Sequence, residues 1–266
     1  MLRILLCVKQ VPDVDLVKMD PETGNLIREG VPAIMNPNDM YALEAAVRVK
    51  ERWGAEICAI SMGPPAAESV LRECLSVGTD RAVLISDGRF RDADTLATSY
   101  SIAAAAGMYG KFDLILCGRE TLDGATGQMG AQLAERFDTS LISGARRMVE
   151  IDESGGLLRA EREVEDGLEL VEAKLPCLLS LEKTYYQPRI PNFRGKKAAR
   201  AAEVKVLTAS DIEGLDETRI GAAGSGTIVP RTYPPERGER GTVLDGGSAE
   251  KDAELLAGLL ERAGLI

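Results

Sequence analysis

A polar turn in the segment DLILCGRETLDGATGQMGAQLAERF, residues 113–137, has the residue types that bind nucleotides. The segment indicates an apolar strand, a turn rich in glycine and hydroxyl groups, and a helix that begins directly after it. Glycines let a backbone approach a ligand closely, and Thr, Asp and Gln side chains offer donors and acceptors to ribose and phosphate. The unpaired N–H groups at a helix start favour phosphate oxygens. Seven positions carry these properties: Gly118, Thr121, Asp123, Gly124, Thr126, Gly127 and Gln128.

This turn matches neither the dinucleotide glycine fingerprint nor the phosphate-binding loop of nucleotide triphosphatases. An ordinary strand-to-helix turn with a polar cap is therefore the alternative to a nucleotide site.

The rest of the composition offers little for catalysis by side chains. The chain has no histidine, so a histidine-based triad, general base or metal site is excluded. Its five cysteines are dispersed and form no C-x-x-C pair, so we expect neither disulfides nor a metal site. We predict no catalytic residue and no metal, and any chemistry would come from a bound cofactor.

Charge and hydropathy limit the partners and the location. A formal net charge of −10 opposes binding to the phosphate backbone of nucleic acids. No stretch approaches the roughly 18 apolar residues of a membrane span, and the amino terminus leads into a strand without a signal-peptide pattern. We expect a folded, soluble, cytoplasmic protein without membrane insertion.

Strands and helices alternate through the first half of the chain. The apolar runs ILLCV, EICAIS, AVLIS and DLILC predict buried strands. Helices are expected after each of them: from the N-cap Asn36 and Pro37, over residues 64–77 with Gly78 closing the helix, over about 94–106, and over about 127–136. Asp39 would lie in the first turn of the first helix, where the helix dipole favours it. This alternation predicts an α/β, Rossmann-like fold, a parallel sheet with helices on both faces.

Loops at the carboxyl ends of parallel strands face one crevice. The residues there would be Cys7–Val8–Lys9, Met62–Gly63–Pro64, Asp87–Gly88 and Cys117–Gly118–Arg119. The connection between Lys9 and Met35 is long, and DPETGN within it indicates a hairpin or excursion. It would either cover a ligand or decorate the surface.

The periodicity changes after residue 143. Short extended runs separated by glycine turns predict a β-meander over residues 144–175, after which LPCLLSLE is expected to rejoin the main sheet. We place a nucleotide-binding α/β domain at 1–190 and a C-terminal arm at 191–266. The arm ends in an amphipathic helix with aligned leucines, so we expect it to pack on a partner chain.

Five ordered motifs give the chain a family resemblance. They are CVKQVPD at 7–13, MNPNDMYALEAAVRVKE at 35–51, MGPPAAESVLRECLSVGTDRA at 62–82, DLILCGRETLDGATGQMGAQLAE at 113–135 and PRIP at 188–191. Over essentially its whole length the chain resembles the beta subunit of an electron transfer flavoprotein.

The resemblance implies an adenine nucleotide α-hydrolase-like fold and an alpha subunit that carries FAD. It also implies a nucleotide site lined by four parts of this sequence, which add flanking residues to the turn described above. These positions are Cys7, Asn36, Pro37, Asn38, Asp39, Met62, Gly118, Arg119, Glu120, Thr121, Leu122, Asp123, Gly124, Ala125, Thr126, Gly127, Gln128 and Met129.

Two branches of the family differ in what the beta subunit binds. In one it holds a structural AMP and scaffolds the electron carrier; in the electron-bifurcating branch it holds a second FAD that takes hydride from NADH. Residues 60–80 and 92–99 resemble the bifurcating branch. Thr95 and Thr98 are then candidates to hydrogen-bond the flavin diphosphate, although a Thr-rich helix start is also an ordinary cap. Lys9 and Arg119 are candidates to tune the charge at the flavin.

The expected function is therefore that of a bifurcating subunit. One electron would pass to ferredoxin or flavodoxin and the other to the alpha-subunit FAD, which would serve an acyl-CoA-type flavin dehydrogenase. The resemblance implies that the loop from Lys183 to Arg194 recognises this dehydrogenase. The alternatives are a scaffold subunit that binds AMP and a stand-alone adenine-nucleotide sensor.

Overall fold

The computed structural model describes residues 1–13, 18–19, 26–27, 32–182, 185–230, 241 and 243–266. The strands are β1 Leu2–Cys7, β2 Gln10–Pro12, β3 Lys18–Met19, β4 Leu26–Ile27, β5 Ala33–Met35, β6 Ala55–Met62, β7 Arg81–Ile85, β8 Leu114–Gly118, β9 Ser140–Asp152, β10 Leu157–Val164, β11 Gly167–Lys174, β12 Cys177–Leu181 and β13 Lys205–Leu207. The helices are α1 Pro37–Trp53, α2 Glu68–Val77, α3 Thr95–Gly107, α4 Met129–Phe137, α5 Phe193–Ala201, α6 Gly221–Gly224 and α7 Ala249–Arg262.

Within the described residues, nine strands form the main sheet, in the order β11-β10-β9-β12-β8-β1-β6-β7-β13. The seven strands from β9 to β13 in this order pair in parallel, and β10 and β11 add an antiparallel edge. The α/β fold with a predominantly parallel sheet is confirmed.

Helices cover both faces of the sheet. Successive side chains of β1 point to opposite faces, so Ile4 packs in one core with α1 and α2, whereas Leu5 packs in the other with α3 and α4. Strands covered on both faces are apolar almost throughout, which is why ILLCV and LILC lack polar alternation. Burying each large aliphatic side chain contributes about 1.5–3 kcal/mol.

The helix ends follow local signals, with two small differences. Asn36 is the N-cap of α1, Pro37 is its first residue, and Gly78 closes α2 with φ of 142°. The helix predicted from residue 64 begins with a short 3-10 turn, Pro65–Ala67, before α2. The helix predicted from residue 127 begins only at Met129, because Gly127 has φ of 62°, outside the helical region.

The predicted meander continues directly from the main sheet. Residues 140–145 at the start of β9 pair in parallel with β12, and the rest of the strand pairs antiparallel with β10. Gly144, at φ of 66°, lies in this transition. As predicted, β12 rejoins the main sheet, between β8 and β9.

Residues 1–230 form one compact unit and residues 231–266 a second. The first unit thus includes α5, which contacts α2 through a hydrogen bond from Arg72 Nη1 to Ala199 O at 2.7 Å, and β13, which pairs with β7. The division between these two units follows residue 230, which is 40 residues after the domain boundary at residue 190 that the sequence predicts. In the second unit, Leu255, Leu256 and Leu259 of α7 are 41–48% exposed, and their packing on a partner stays a prediction.

The long connection after β1 has a regular stem. β2 pairs antiparallel with β5, and β3 with β4. The predicted excursion DPETGN, residues 20–25, lies outside the described residues, as does Lys183 of the predicted recognition loop. Among the described helices, none is long and apolar enough to cross a membrane.

Candidate functional site

The crevice lies where the strand order reverses. From β1 the chain moves outward through β6 to β7, then crosses to β8 on the other side of β1. Such a switch point separates the loops that follow the two central strands and opens a crevice between them. The loops after β1 and β8 carry Lys9 and the predicted nucleotide-binding turn.

Asp39 joins the ends of these two strands. Its carboxylate accepts hydrogen bonds from the backbone N–H of Lys9, at 2.8 Å, and of Gly118, at 3.0 Å. The residue is only 4% exposed. Burial raises the pKa of Asp39 to about 7, although hydrogen bonds from Lys9, Asn36 and Gly118 and the charge of Lys9 act in the opposite direction. The first turn of α1 therefore fixes the floor of the crevice.

Gly118 is required by this packing. A Cβ atom at this position would lie 2.5 Å from Asp39 Oδ1 and 2.8 Å from the Asn38 carbonyl carbon. The sequence predicts Gly118 as a point of close approach for a ligand, and the structure shows that α1 also approaches it closely. The glycine allows helix and strand end to touch, and that contact sets the position of the following turn.

Two asparagines at the start of α1 hold that turn. Asn36 Nδ2 and Asn38 Nδ2 both donate to the carbonyl oxygen of Glu120, at 2.9 and 3.0 Å, and Asn36 Oδ1 accepts from the N–H of Leu122 at 3.3 Å. Asn36 is the N-cap residue by position, but its side chain makes no capping hydrogen bond. Its side-chain amide instead forms hydrogen bonds with Glu120 and Leu122 of the turn after β8.

Two cations at the turn are paired with carboxylates. Lys9 Nζ donates to both carboxylate oxygens of Asp123, at 2.8 and 2.7 Å, and Arg119 forms an ion pair with Glu182. Although burial raises the pKa of Asp123, the hydrogen bonds from Lys9 and Thr121 outweigh it, and the net shift is downward. Both cations predicted to tune a flavin are therefore paired with carboxylates.

Positive φ angles shape the second half of the turn. Ala125 has φ of 46° and Gly127 has φ of 62°. A non-glycine residue in this region costs about 1–2 kcal/mol, so the conformation of Ala125 is imposed by its surroundings, including a hydrogen bond from its N–H to Thr121 O at 2.8 Å.

The amino ends of α3 and α4 meet beside the turn. Thr95 Oγ1 donates to Gln128 Oε1 at 2.8 Å and accepts from Gln132 Nε2 at 3.1 Å. Thr95 is the first residue of α3, and Gln128 is the N-cap of α4. Two helix starts, each with unpaired N–H groups and partial positive charge, thus face the same space.

A cavity of about 870 Å³ occupies this space. Fifteen of the predicted site residues line it: Cys7, Lys9, Asp39, Met62, Thr95, Thr98, Gly118, Arg119, Glu120, Thr121, Gly124, Thr126, Gly127, Gln128 and Met129. The other six do not line it: Asn36, Pro37, Asn38, Leu122, Asp123 and Ala125. Of these six, Asn36, Asn38 and Asp123 hold lining residues in place through the hydrogen bonds above.

Comparison with known proteins identifies the family. The family model for the electron transfer flavoprotein domain matches residues 23–212. The chain belongs to the electron transfer flavoprotein family. It is 42% identical over 262 residues to the electron transfer flavoprotein subunit beta of Thermoanaerobacterium thermosaccharolyticum, an alignment that covers 98% of this chain and 99% of the relative.

Two further relatives carry other names. The caffeyl-CoA reductase-Etf complex subunit CarD of Acetobacterium woodii is 40% identical over 266 residues, with both chains fully covered. The protein FixA of Bradyrhizobium diazoefficiens is 39% identical over 261 residues, covering 95% of this chain and 88% of the relative. These full-length similarities place the chain among the beta subunits of the electron transfer flavoproteins.

In this beta subunit, one wall of the cavity was predicted only in part. Asp87 and Gly88 were expected at the crevice and line the cavity. The structure adds further residues of the loop from β7 to α3 and one residue close to the end of the first unit: Ser86, Phe90, Arg91, Asp92, Ala93, Asp94 and Thr227. The acidic and basic residues of DGRFRDAD after a predicted strand were a usable signal for the loop. No local pattern places Thr227, which reaches the cavity through a long-range hydrogen bond from its N–H to Asp94 Oδ2 at 3.0 Å.

The described lining of the cavity carries groups suited to binding a nucleotide. Cys7 and Cys117 are buried in its floor, and burial raises the pKa of both thiols, so they stay protonated near neutral pH. The backbone N–H groups at two helix starts and the hydroxyl groups of Thr95, Thr98, Thr121 and Thr126 fit the phosphates and ribose of a nucleotide. Redox chemistry would come from such a ligand.

Proposed function

We propose that this chain is the beta subunit of a heterodimeric electron transfer flavoprotein, works in the cytoplasm, and binds FAD in the cavity of about 870 Å³. The observation that carries the proposal is the extent of this cavity. It runs from the turn after β8, past the starts of α3 and α4, to the loop after β7. Its volume is near the upper end of the roughly 300–1,000 Å³ of ligand pockets, which favours a dinucleotide over AMP.

The residues of the cavity suit the two halves of FAD. The adenosine half would lie against residues 118–129, where Asp39, Asn36 and Asn38 hold the turn rigid. The diphosphate would accept hydrogen bonds at the helix starts and from Thr95 and Thr98. The remaining space, toward Phe90 and Arg91, is available to the other half.

A bound flavin would accept hydride from NADH and release the electrons singly, one toward ferredoxin or flavodoxin and one toward the FAD of the alpha subunit. The chain's own residues would bind the flavin, orient it and shield it from solvent. Because the positive charges of Lys9 and Arg119 are balanced by Asp123 and Glu182, they would influence the flavin mainly as oriented ion pairs. Five buried free cysteines suit a reducing compartment such as the cytoplasm.

The segment after β12 supports a role in recognising an acyl-CoA-type dehydrogenase. Arg189 binds the buried Glu44 and also Glu51, which fixes this segment on α1. The neighbouring Ile190 and Phe193 remain 88% and 83% exposed. Exposed apolar side chains on a fixed segment favour protein contact, and the relative CarD is a subunit of a caffeyl-CoA reductase-Etf complex.

Anaerobic titration with NADH tests the proposal. The chain would be co-expressed with the alpha subunit encoded beside it, purified as the heterodimer and followed through flavin absorbance. We expect NADH to bleach the flavin absorbance of the heterodimer, with less bleaching per heterodimer when Thr95 and Thr98 are both replaced by alanine. A heterodimer whose flavin is untouched by NADH would contradict the proposed hydride transfer and favour the AMP-binding scaffold.

A further inference from the structure

A second cleft lies at the other end of α1. Helix α1 starts at the crevice and ends at Trp53, where the carbonyl oxygen of Gly54 accepts from the N–H of Leu2 at the amino end of β1, at 3.3 Å. The cleft, of about 430 Å³, is formed by the last turns of α1, the middle of β9 and the segment after β12. In the part of the chain that the structure describes, it shares no lining residue with the cavity described above.

Aromatic rings and guanidinium groups are paired in this cleft. Arg52 lies over the ring of Trp53, with 4.3 Å from its central carbon to the ring centroid. Arg48 lies over Tyr186 at 5.6 Å, and Arg147 lies over Tyr185 at 5.1 Å. All six residues line the cleft. A guanidinium stacked on a ring uses its face and keeps its N–H edge free to donate to an anion.

Among the described residues at the cleft, cations exceed their carboxylate partners by one, in a chain whose net charge is −10. Arg48 and Arg189 bind Glu44, Arg189 also binds Glu51, and Arg147 binds Glu161. Four guanidinium groups, including Arg52, therefore face three carboxylates. Among the described residues, Arg52 has no carboxylate within 4.0 Å, and its guanidinium stacks on Trp53.

We propose that this cleft binds a planar aromatic compound that carries an anionic group, a phosphate or a carboxylate. Arg52 supplies the available charge, and an anion meets it without breaking an existing ion pair. Ala45, Met148 and Val149 add apolar surface, and Tyr185, which is 53% exposed, offers a ring to the ligand. The volume is half that of the larger cavity, which suits a single ring system with its anion.

Trp53 makes the site observable, because it is the only tryptophan of the chain. The intact heterodimer would be titrated with guanosine 5′-monophosphate and, separately, with benzoate, while tryptophan fluorescence is recorded. A Trp53→Phe heterodimer gives the signal of the partner subunit for subtraction. The two probes distinguish a phosphorylated ligand from a carboxylate.

We expect a saturable change in Trp53 fluorescence with at least one probe. Arg52→Gln should weaken that binding at least tenfold. Arg200→Gln, the same charge change at an exposed position of α5, should leave the affinity unchanged. No saturable change up to roughly 10 mM of either probe, or equal affinity in the Arg52→Gln variant, would overturn the proposal. FAD content should be the same in all variants, so this result is independent of the proposed function.

Discussion

The carboxylate of Asp39 and the backbone N–H of Gly118 are joined by a buried hydrogen bond of 3.0 Å across 79 positions of sequence. With the second bond, from Lys9 N–H, it connects the ends of β1 and β8 at the point where the strand order reverses. Asn36 and Asn38, at the same helix start as Asp39, donate hydrogen bonds to the turn that follows Gly118. The position of the turn from residue 118 to residue 129 therefore depends on how the start of α1 is held against Gly118.

Replacing Gly118 with alanine should destabilise the protein. The new Cβ would come within 2.5 Å of Asp39 Oδ1 and 2.8 Å of Asn38, and overpacking of this kind costs about 1–3 kcal/mol. Urea unfolding would measure the loss. Gly88→Ala is the matched control, since a Cβ there meets nothing within 4 Å, and it should change stability by less than about 0.5 kcal/mol. Equal stability of the two variants would contradict the packing argument.

Asp39 should make stability fall as pH rises from about 4 to about 7. Burial raises its folded-state pKa from 3.8 to about 7, so in this interval the folded protein holds a proton that the unfolded chain has released. The stabilising contribution is therefore complete at low pH, is lost as pH rises toward 7, and amounts to roughly 4 kcal/mol.

The comparison with Asp39→Asn isolates this effect, because asparagine does not titrate. Urea unfolding at pH 5 and pH 7.5 should show a smaller difference in stability for the variant than for the wild type. The same difference in both proteins would show that Asp39 does not titrate between these two pH values.

Neutralising Asp123 and neutralising Lys9 should change the affinity for an anionic nucleotide in opposite directions. Asp123→Asn releases the Lys9 ammonium toward the cavity and should tighten binding of an anionic nucleotide a few-fold, whereas Lys9→Gln releases the carboxylate and should weaken it a few-fold. Both groups are partly exposed, so the effects should shrink in about 1 M salt. Equilibrium dialysis with FAD and AMP would measure them; shifts of the same sign would count against this account.

Removing Arg189 should weaken the pairing of a buried carboxylate. Arg189 donates to Glu44, which is 1% exposed, at 2.8 and 3.1 Å, and Arg48 donates to the same carboxylate at 2.7 Å. Because Arg48 remains, Arg189→Ala should cost about 1–3 kcal/mol in urea unfolding, less than the loss of a sole partner. Adding Glu44→Gln to this variant removes the carboxylate that has lost a partner and should recover part of the loss. A double variant that is less stable than Arg189→Ala alone would show that the charge of Glu44 is not the cause.

Exposed lysines of α5 offer a test of partner recognition. Lys196 and Lys197 are exposed, whereas Ala199 on the same helix is buried. Lys196→Glu combined with Lys197→Glu should weaken electron transfer to the dehydrogenase and leave the nucleotide bound. Coupled activity and cofactor content of the same preparation would separate the two effects, and unchanged transfer would refute the recognition role.

Strand and helix positions could be predicted because their signals are local. The apolar runs, the N-cap Asn36, Pro37 and the closing Gly78 determine the first units of the sheet, and the crevice follows from the carboxyl ends of parallel strands. The short strand KVL, residues 205–207, was missed because three residues carry no detectable period; its place depends on pairing with β7.

The inner arrangement of the site could not be predicted from local pattern. Asp39 was expected in the first turn of α1 for its interaction with the helix dipole, and only the fold shows that it is buried against Gly118. Asn36 has the sequence signal of a capping residue, yet its amide serves a turn 84 residues away. Long-range hydrogen bonds of this kind depend on how helix and sheet are packed.

The most direct test of the central claim is the number of FAD and AMP molecules in the heterodimer. The chain would be co-expressed with its alpha subunit, and the nucleotides released by denaturation would be separated and counted. A large cavity that continues to Thr95, Thr98 and Phe90 predicts two FAD and no AMP, one FAD belonging to each subunit. One FAD together with one AMP would contradict this account and make the chain a scaffold for the flavin of its partner.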